Sequence, residues 1–181
     1  MRSASLLAML ALLLPGTVSA QSGWRDADGK PMPDTDAARS EGGFAASLLI
    51  TDDADWQKKW KTPPENTPTL GGADSVGPGG ELYVLTLLSN PMLDAKGETN
   101  VVCDLDIQRP HGSHGAQHRQ VPCFNTRLQG DPTLVYMTSI AVKMVVEPDD
   151  PKGVWTVRVK VKDVNRGVAL PLQSSFEVRD H

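Results

Sequence analysis

Apolar and polar residues alternate along the last third of the chain with the two-residue period of a β-strand. The apolar positions of residues 155–162 are Trp155, Val157, Val159 and Val161. Arg158, Lys160 and Lys162 occupy positions between them. Because successive side chains of a strand point to opposite faces, this pattern predicts a half-buried strand with a basic outer face.

Further segments rich in apolar and β-branched residues recur from residue 44 onward, separated by turn-forming residues. They span residues 44–50, 82–88, 101–107, 121–124, 134–136, 140–146, 168–172 and 176–178. Pro171 lies inside one of them, which places that segment at a sheet edge or a bulge. Short strands at such spacing predict a mostly β protein, an immunoglobulin-like antiparallel β-sandwich with one short N-terminal helix.

That helix is predicted over residues 53–61, before the two prolines at 63 and 64. Trp56 and Trp60 are four residues apart, so both indoles lie on one helix face. A helix this short is marginal alone and needs tertiary contacts. We expect the indoles to dock on the protein's own sheet; the alternative is an aromatic platform for a partner.

The first 20 residues predict a secretory signal peptide. Arg2 precedes an apolar run at 6–14, and small residues at 18 and 20 favour cleavage after Ala20. The run is too short to span a bilayer. We expect an extended arm over 21–43, then one domain over 44–181 that includes a Pro/Gly-rich connector at 62–80, in the periplasm or secreted.

Charge argues against nucleic acid and anionic membranes as partners. The predicted signal holds one basic and no acidic residue, so 17 of the 18 basic residues remain against 22 acidic ones, a net charge of −5. Basic residues are neither in excess nor clustered.

The chain contains two cysteines, Cys103 and Cys123. An even count in an exported chain predicts one disulfide, with Cys103 on the core-facing side of its strand. The alternative is a pair of free thiols at a metal or redox site, although the spacing is not Cys-x-x-Cys.

Three of the four histidines lie within eight residues: His111, His114 and His118. Neutral imidazoles suit zinc and copper, so this segment is a candidate site for either metal in a protein that otherwise needs no cofactor. The alternative is a solvated loop tip that is polar by composition only.

Asp104 and Asp106 lie two apart on one face of a predicted strand. Two carboxylates can perform acid–base chemistry in a glycosidase, but a solvated polar face is the more common role of such residues. The Gly-x-Ser-x-Gly motif and a phosphate-binding glycine loop are absent from the sequence. We therefore predict no catalytic residues.

The closing segment is similar to the final hairpin of many immunoglobulin-like domains in exported bacterial proteins. The residues that carry the resemblance run from Glu147 through Trp155 to Phe176. The whole exported chain resembles an uncharacterised family of small secreted or periplasmic proteobacterial proteins. The resemblance implies the fold class and no functional residues.

Three functions are compatible with these features. We favour a non-enzymatic binding or accessory protein of the bacterial periplasm, whose partner is a protein or an envelope component. Its candidate surfaces are the Arg158, Lys160 and Lys162 face, the Trp56/Trp60 helix, and an edge strand near Pro171 that could also support a homo-oligomer. The alternatives are a copper- or zinc-binding protein using the three histidines, and a hydrolase whose site is assembled from distant loops.

Overall fold

The computed structural model describes residues 23–25, 28–61 and 70–180. The predicted signal peptide lies outside these residues, as does the 62–69 part of the predicted connector. Across the described ranges, we find no helix with the length and apolar character needed to cross a membrane.

The described strands form two sheets. One has the order β1-β2-β4-β7, with β1 at Ala38–Glu41, β2 at Phe44–Thr51, β4 at Glu81–Ser89 and β7 at Val135–Val145. The other has the order β3-β9-β8-β5-β6, with β3 at Ser75–Val76, β9 at Val168–Val178, β8 at Gly153–Asp163, β5 at Val101–Gln108 and β6 at His114–Phe124. Neighbouring strands are antiparallel except β3 and β9. The prediction of a mostly β sandwich is confirmed.

The two sheets bury their facing side chains against each other in one apolar cluster. Phe44 and Leu88 come from the four-stranded sheet, and Leu105, Val157 and Phe176 come from the five-stranded sheet. Each of these side chains is at most 2% exposed. The alternating residues of β5 and β8 thus direct one face inward, as their sequence pattern predicts, and leave Asp104, Asp106 and the basic residues outside.

Helix α1, at Trp56–Trp60, lies on the outer face of the four-stranded sheet. The Trp56 side chain is 8% exposed, and its ring centroid is 6.3 Å from that of Tyr83. Tyr83 points away from the core because its neighbours Leu82 and Val84 point into it. Trp56 therefore docks on the protein's own sheet, whereas Trp60 is half-buried.

Several strands are longer than their apolar segments. Segments 134–136 and 140–146 belong to one strand, β7, and segments 168–172 and 176–178 belong to β9. The register of β7 against β4 shifts between Leu85 and Leu87, which places a bulge where the apolar pattern of β7 is interrupted. The arm predicted over 21–43 contributes β1, which pairs with β2 through backbone hydrogen bonds.

The predicted disulfide joins Cys103 on β5 to Cys123 on β6, with 5.8 Å between their Cα atoms. Both side chains are 1% exposed. Because β5 and β6 are neighbours in the same sheet, the bridge ties an outer strand to an inner one. Apolar contact, rather than this bridge, holds the two sheets together.

Candidate binding hollow on the five-stranded sheet

A shallow hollow of about 360 Å³ lies on the outer face of the five-stranded sheet. It crosses four strands, and we call it the outer hollow. Its charged lining residues are Asp36, Arg39, Asp104, Asp106, Arg119, Arg158 and Lys160. Pro171 and Gln173 of β9 also line it. The hollow thus gathers residues that the sequence places up to 137 positions apart.

One wall of the outer hollow comes from the segment that leads into β1. The amide of Gln173 on β9 donates to the carbonyl oxygen of Asp36 over 2.7 Å. The Asp36 carboxylate then accepts a hydrogen bond from Nη2 of Arg39 at 3.0 Å. Since Arg39 belongs to β1 of the four-stranded sheet, this segment passes from one sheet to the other at the rim of the hollow.

Opposite charges face each other across the floor. The antiparallel register of β5 and β8 pairs Asp104 with Lys160 and Asp106 with Arg158. Opposite-charge cross-strand pairs stabilise a sheet modestly. The predicted basic face of β8 is therefore a mixed-charge surface, because the adjoining strand supplies carboxylates at the same level.

Neighbouring polar groups hydrogen-bond to Oδ1 of both carboxylates of β5. Asp106 Oδ1 lies 2.8 Å from His114 Nδ1 and accepts a hydrogen bond from Gln117 Nε2 at 3.1 Å. Burial raises the pKa of Asp106, but the hydrogen bonds from His114 and Gln117 outweigh it and hold the pKa below its ordinary value. Asp104 accepts hydrogen bonds from the amide and side chain of Gln120, at 2.8 and 3.3 Å.

The cations of the outer hollow are less fully engaged. Arg158 donates from Nε to Gln173 and from Nη1 to Gln108, at 2.9 and 2.7 Å, so its guanidinium is held by side chains of both neighbouring strands. Nε of Arg39 is buried and has no hydrogen-bond acceptor. Arg119 and Lys160 have no hydrogen bond or ion pair to any described residue and stand exposed at the surface. The lining thus offers the N–H donors of Arg119 and Lys160 beside carboxylates that are already hydrogen-bonded through Oδ1.

The three predicted histidines occupy different positions along the 110–118 segment. His111 lies in a short 3-10 turn at Pro110–Gly112, His114 starts β6 beside Asp106, and His118 pairs with Leu105 in the register of β6 against β5. The loop expected here is thus mostly strand. No three His, Cys, Asp or Glu side chains of the described ranges are grouped as metal ligands. The metal site stays a prediction.

Pro171 lies on the outward side of β9. The amides of Gln173 and Glu177 donate away from β8, to the carbonyl oxygens of Asp36 and Asp74. Residues two apart direct their backbone N–H groups to the same side of a strand, so an N–H at position 171 would point away from β8. The pairing of β9 with β8 therefore loses no hydrogen bond at Pro171. These two hydrogen bonds cover the outward side of β9 at Gln173 and Glu177. Pro171 lies N-terminal to both residues on the same side of the strand.

Sequence reasoning missed Asp36, Arg39, Arg119 and Gln173. The first two belong to a polar segment with no periodicity, and Arg119 lies between the histidine segment and the strand predicted over 121–124. Of the residues put forward as a partner surface, the outer hollow includes Arg158 and Lys160, whereas Lys162 does not line it and Trp56 and Trp60 lie on the other sheet.

No known family model and no curated protein matches the sequence. A family 123 glycoside hydrolase from Clostridium perfringens is similar in structure over 75% of this chain and 28% of its own, with a TM-score of 0.41 and 10% identity. A Niemann-Pick type C2 protein from Japanese carpenter ant is similar over 74% of this chain and 89% of its own, with a TM-score of 0.40 and 11% identity.

A third similar structure is the Pseudomonas fluorescens alkylpurine DNA glycosylase AlkC bound to DNA containing an abasic site analogue. The likeness covers 59% of this chain and 28% of that one, with a TM-score of 0.37 and 18% identity. This chain thus spans less than a third of the glycosylase and of the glycoside hydrolase. At this level of similarity the three structures carry no argument about function.

Proposed function

We propose that the protein is an exported, non-enzymatic binding protein of the bacterial periplasm that holds its partner in the outer hollow. One observation carries the proposal: Oδ1 of Asp104 and of Asp106 is hydrogen-bonded to neighbouring residues, while Arg119 and Lys160 donate no hydrogen bond to a described residue. A lining with donors to spare favours a ligand that brings acceptors.

The rigidity of the floor supports binding. Arg158 is fixed by Gln173 on one neighbouring strand and by Gln108 on the other, so its position does not have to be ordered when a ligand arrives. A preorganised surface loses less conformational entropy on binding than a mobile one. The backbone beneath it belongs to four hydrogen-bonded strands.

The electrostatics of Asp106 argue against a general-acid role for this residue in hydrolysis. A general acid in a glycosidase needs a carboxyl pKa raised toward neutrality. Hydrogen bonds from His114 and Gln117 keep the pKa of Asp106 low despite its burial, so this group is an anion at neutral pH. It can orient neighbours and a ligand, but it carries no proton to donate.

Export is supported by the predicted leader over 1–20 and by the Cys103–Cys123 disulfide. Disulfides persist in oxidising compartments such as the bacterial periplasm and are rare in the cytosol.

The proposal can be tested by NMR titration of the 15N-labelled protein with soluble muropeptides, periplasmic oligosaccharides and charged peptides. We expect at least one class to shift amides of β5, β8 and β9 around the outer hollow, with the shifts reduced in Arg158→Ala. Lys162→Ala is the matched control, two residues beyond Lys160 on the same strand. Shifts confined to α1 or to the ends of the sandwich would contradict the proposal.

A further inference from the structure

The charge balance of the outer hollow bears on what it can bind. Its lining holds four basic side chains and three carboxylates, so it is weakly positive in a protein whose formal net charge is −4. A phosphate group carries up to two negative charges at neutral pH and would meet three aspartates at close range. A singly charged anion is better matched to this lining.

Arg39 is the basic residue whose hydrogen bonding is least complete. A guanidinium offers five N–H donors in a planar fork, and Arg39 gives one hydrogen bond to Asp36 while its Nε has no acceptor. An unpaired buried donor is costly, and a carboxylate can receive Nε–H and Nη–H of one arginine side by side. Turning this half-exposed side chain toward the hollow would give its Nε–H the acceptor that it otherwise lacks.

The position of Arg39 sets the direction from which such a group enters. Asp36 is anchored on Gln173 of β9, and Lys160 lies opposite Pro171 in the β8–β9 register, two residues from Gln173. Arg39 and Lys160 therefore flank the β9 end of the hollow. The carboxylates Asp104 and Asp106 lie on β5, beyond β8.

We infer that the outer hollow recognises a carboxylate group of its ligand at this end, between Arg39 and Lys160. The inference rests on the proposed function and names the chemistry of the same site. Arg39 supplies the paired hydrogen bonds that orient the carboxylate, Lys160 supplies a second positive charge, and the three aspartates disfavour dianions.

The test is an NMR titration of the protein with propionate, methyl phosphate and propionamide at constant ionic strength. We expect propionate alone to give saturable shifts, at millimolar concentration, in the Arg39 Nε–H signal and in the amides of Lys160 and Gln173. Constant ionic strength matters because exposed charges respond to salt screening.

Variants of Arg39 distinguish the contribution of its paired N–H donors to binding from the contribution of its positive charge. We expect Arg39→Gln to weaken propionate binding about tenfold or more, since a charge-assisted hydrogen bond is lost. Arg39→Lys keeps the charge without the fork and should also weaken binding. Lys160→Gln should give a smaller loss, and Lys162→Gln is the control that should leave binding unchanged. Unaltered amide spectra would confirm that each variant is folded.

Three results would overturn the inference: propionate shifts that do not saturate, equal effects of Arg39→Gln and Lys162→Gln, or methyl phosphate or propionamide binding as tightly as propionate. If propionate fails while larger envelope fragments still shift the amides of the hollow, the ligand chemistry is wrong and the proposed function stands. If neither perturbs the hollow, both fail.

Discussion

The Asp163 carboxylate forms an ion pair with the Arg166 guanidinium at one end of the sandwich, with 3.5 Å between Oδ2 and Nε. The carboxylate is fully buried and the arginine side chain is 22% exposed. Asp163 is fully buried at the end of β8 and accepts hydrogen bonds from the amides of Met92 and Arg166, at 2.8 and 3.1 Å. Arg166 donates to the carbonyl oxygens of Gly42 and Asn90, at 2.6 and 2.9 Å. The pair thus ties together three chain reversals that are distant in sequence.

Replacing Arg166 with methionine should destabilise the fold strongly. The change keeps the length of the side chain but leaves a buried carboxylate without its cation, and removing one partner of a buried pair costs about 3–5 kcal/mol. We expect the melting temperature to fall by several degrees, as measured by circular dichroism. Arg119→Met, an exposed arginine on β6, is the control and should change the stability by less than about 0.5 kcal/mol. Equal losses would show that the pair is not a structural tie.

The two tryptophans of α1 should differ in their effect on stability. Trp56 is buried against Tyr83, so Trp56→Ala should cost about 3 kcal/mol, at the low end for a buried aromatic because this site is peripheral to the main core. Trp60 is half-buried, and Trp60→Ala should cost clearly less. Urea unfolding of both variants provides the measurement. An unchanged midpoint for Trp56→Ala would make the helix a recognition element instead.

Acid should remove the contribution of Asp106 to stability. Its pKa in the folded protein lies below the ordinary value because the hydrogen bonds from His114 and Gln117 outweigh the effect of burial. A lowered folded pKa means that the stabilisation is complete above the unfolded pKa of about 3.9 and is lost as pH falls through the folded value.

The measurement is the difference in unfolding free energy between the wild type and Asp106→Asn, followed from about pH 6 to about pH 2. We expect the difference to shrink only at the acidic end. Asp149→Asn, an exposed aspartate in the turn before β8, should show no such trend. A difference that is constant with pH would mean that the ionised form of Asp106 is not favoured by folding.

Reduction of the disulfide should loosen one side of the protein more than the other. The bridge closes a loop with a sequence separation of 20 residues, so the chain-entropy estimate gives about 3 kcal/mol. Because it joins β6 to β5 within one sheet, hydrogen exchange should accelerate most in β6 after reduction and least in β2 and β4. Uniform acceleration in both sheets would contradict this local role.

Zinc and copper titrations address the histidine hypothesis directly. His114 Nδ1 is engaged with Asp106, and the three histidines are not grouped with other ligands in the described ranges. We expect calorimetry to show no submicromolar site that depends on them. Tight binding that disappears when His111, His114 and His118 are all changed to alanine would restore the metal-binding function.

Apolar content predicts β2 and β4, and alternation predicts β5 and β8, because each of these strands has at least one face in the core. β1 contributes no side chain to the core and β3 contributes only Val76, so neither has an apolar pattern that could be recognised in the sequence. The Ala-Arg-Ser-Glu sequence of β1 pairs with β2 by backbone hydrogen bonds that almost any residue can make.

The outer hollow was only half visible in the sequence for a related reason. The alternating pattern of β8 identifies Arg158 and Lys160 as surface residues. The placement of two aspartates opposite them depends on the register between β5 and β8. The wall formed by Asp36 and Arg39 depends on the pairing of β1 with β2 and on a backbone hydrogen bond to Gln173, which no local pattern signals. Cross-strand register and chain crossings are properties of the whole fold.

The crossing of residues 36–39 from one sheet to the other has a practical consequence. An affinity tag fused close to this segment would displace Arg39, and a shortened version that begins at β2 would lack it, although neither change removes a residue of the apolar core. We expect such a preparation to unfold cooperatively on heating, yet to lack one side of the outer hollow. Ligand screens should therefore carry any fusion at the opposite terminus.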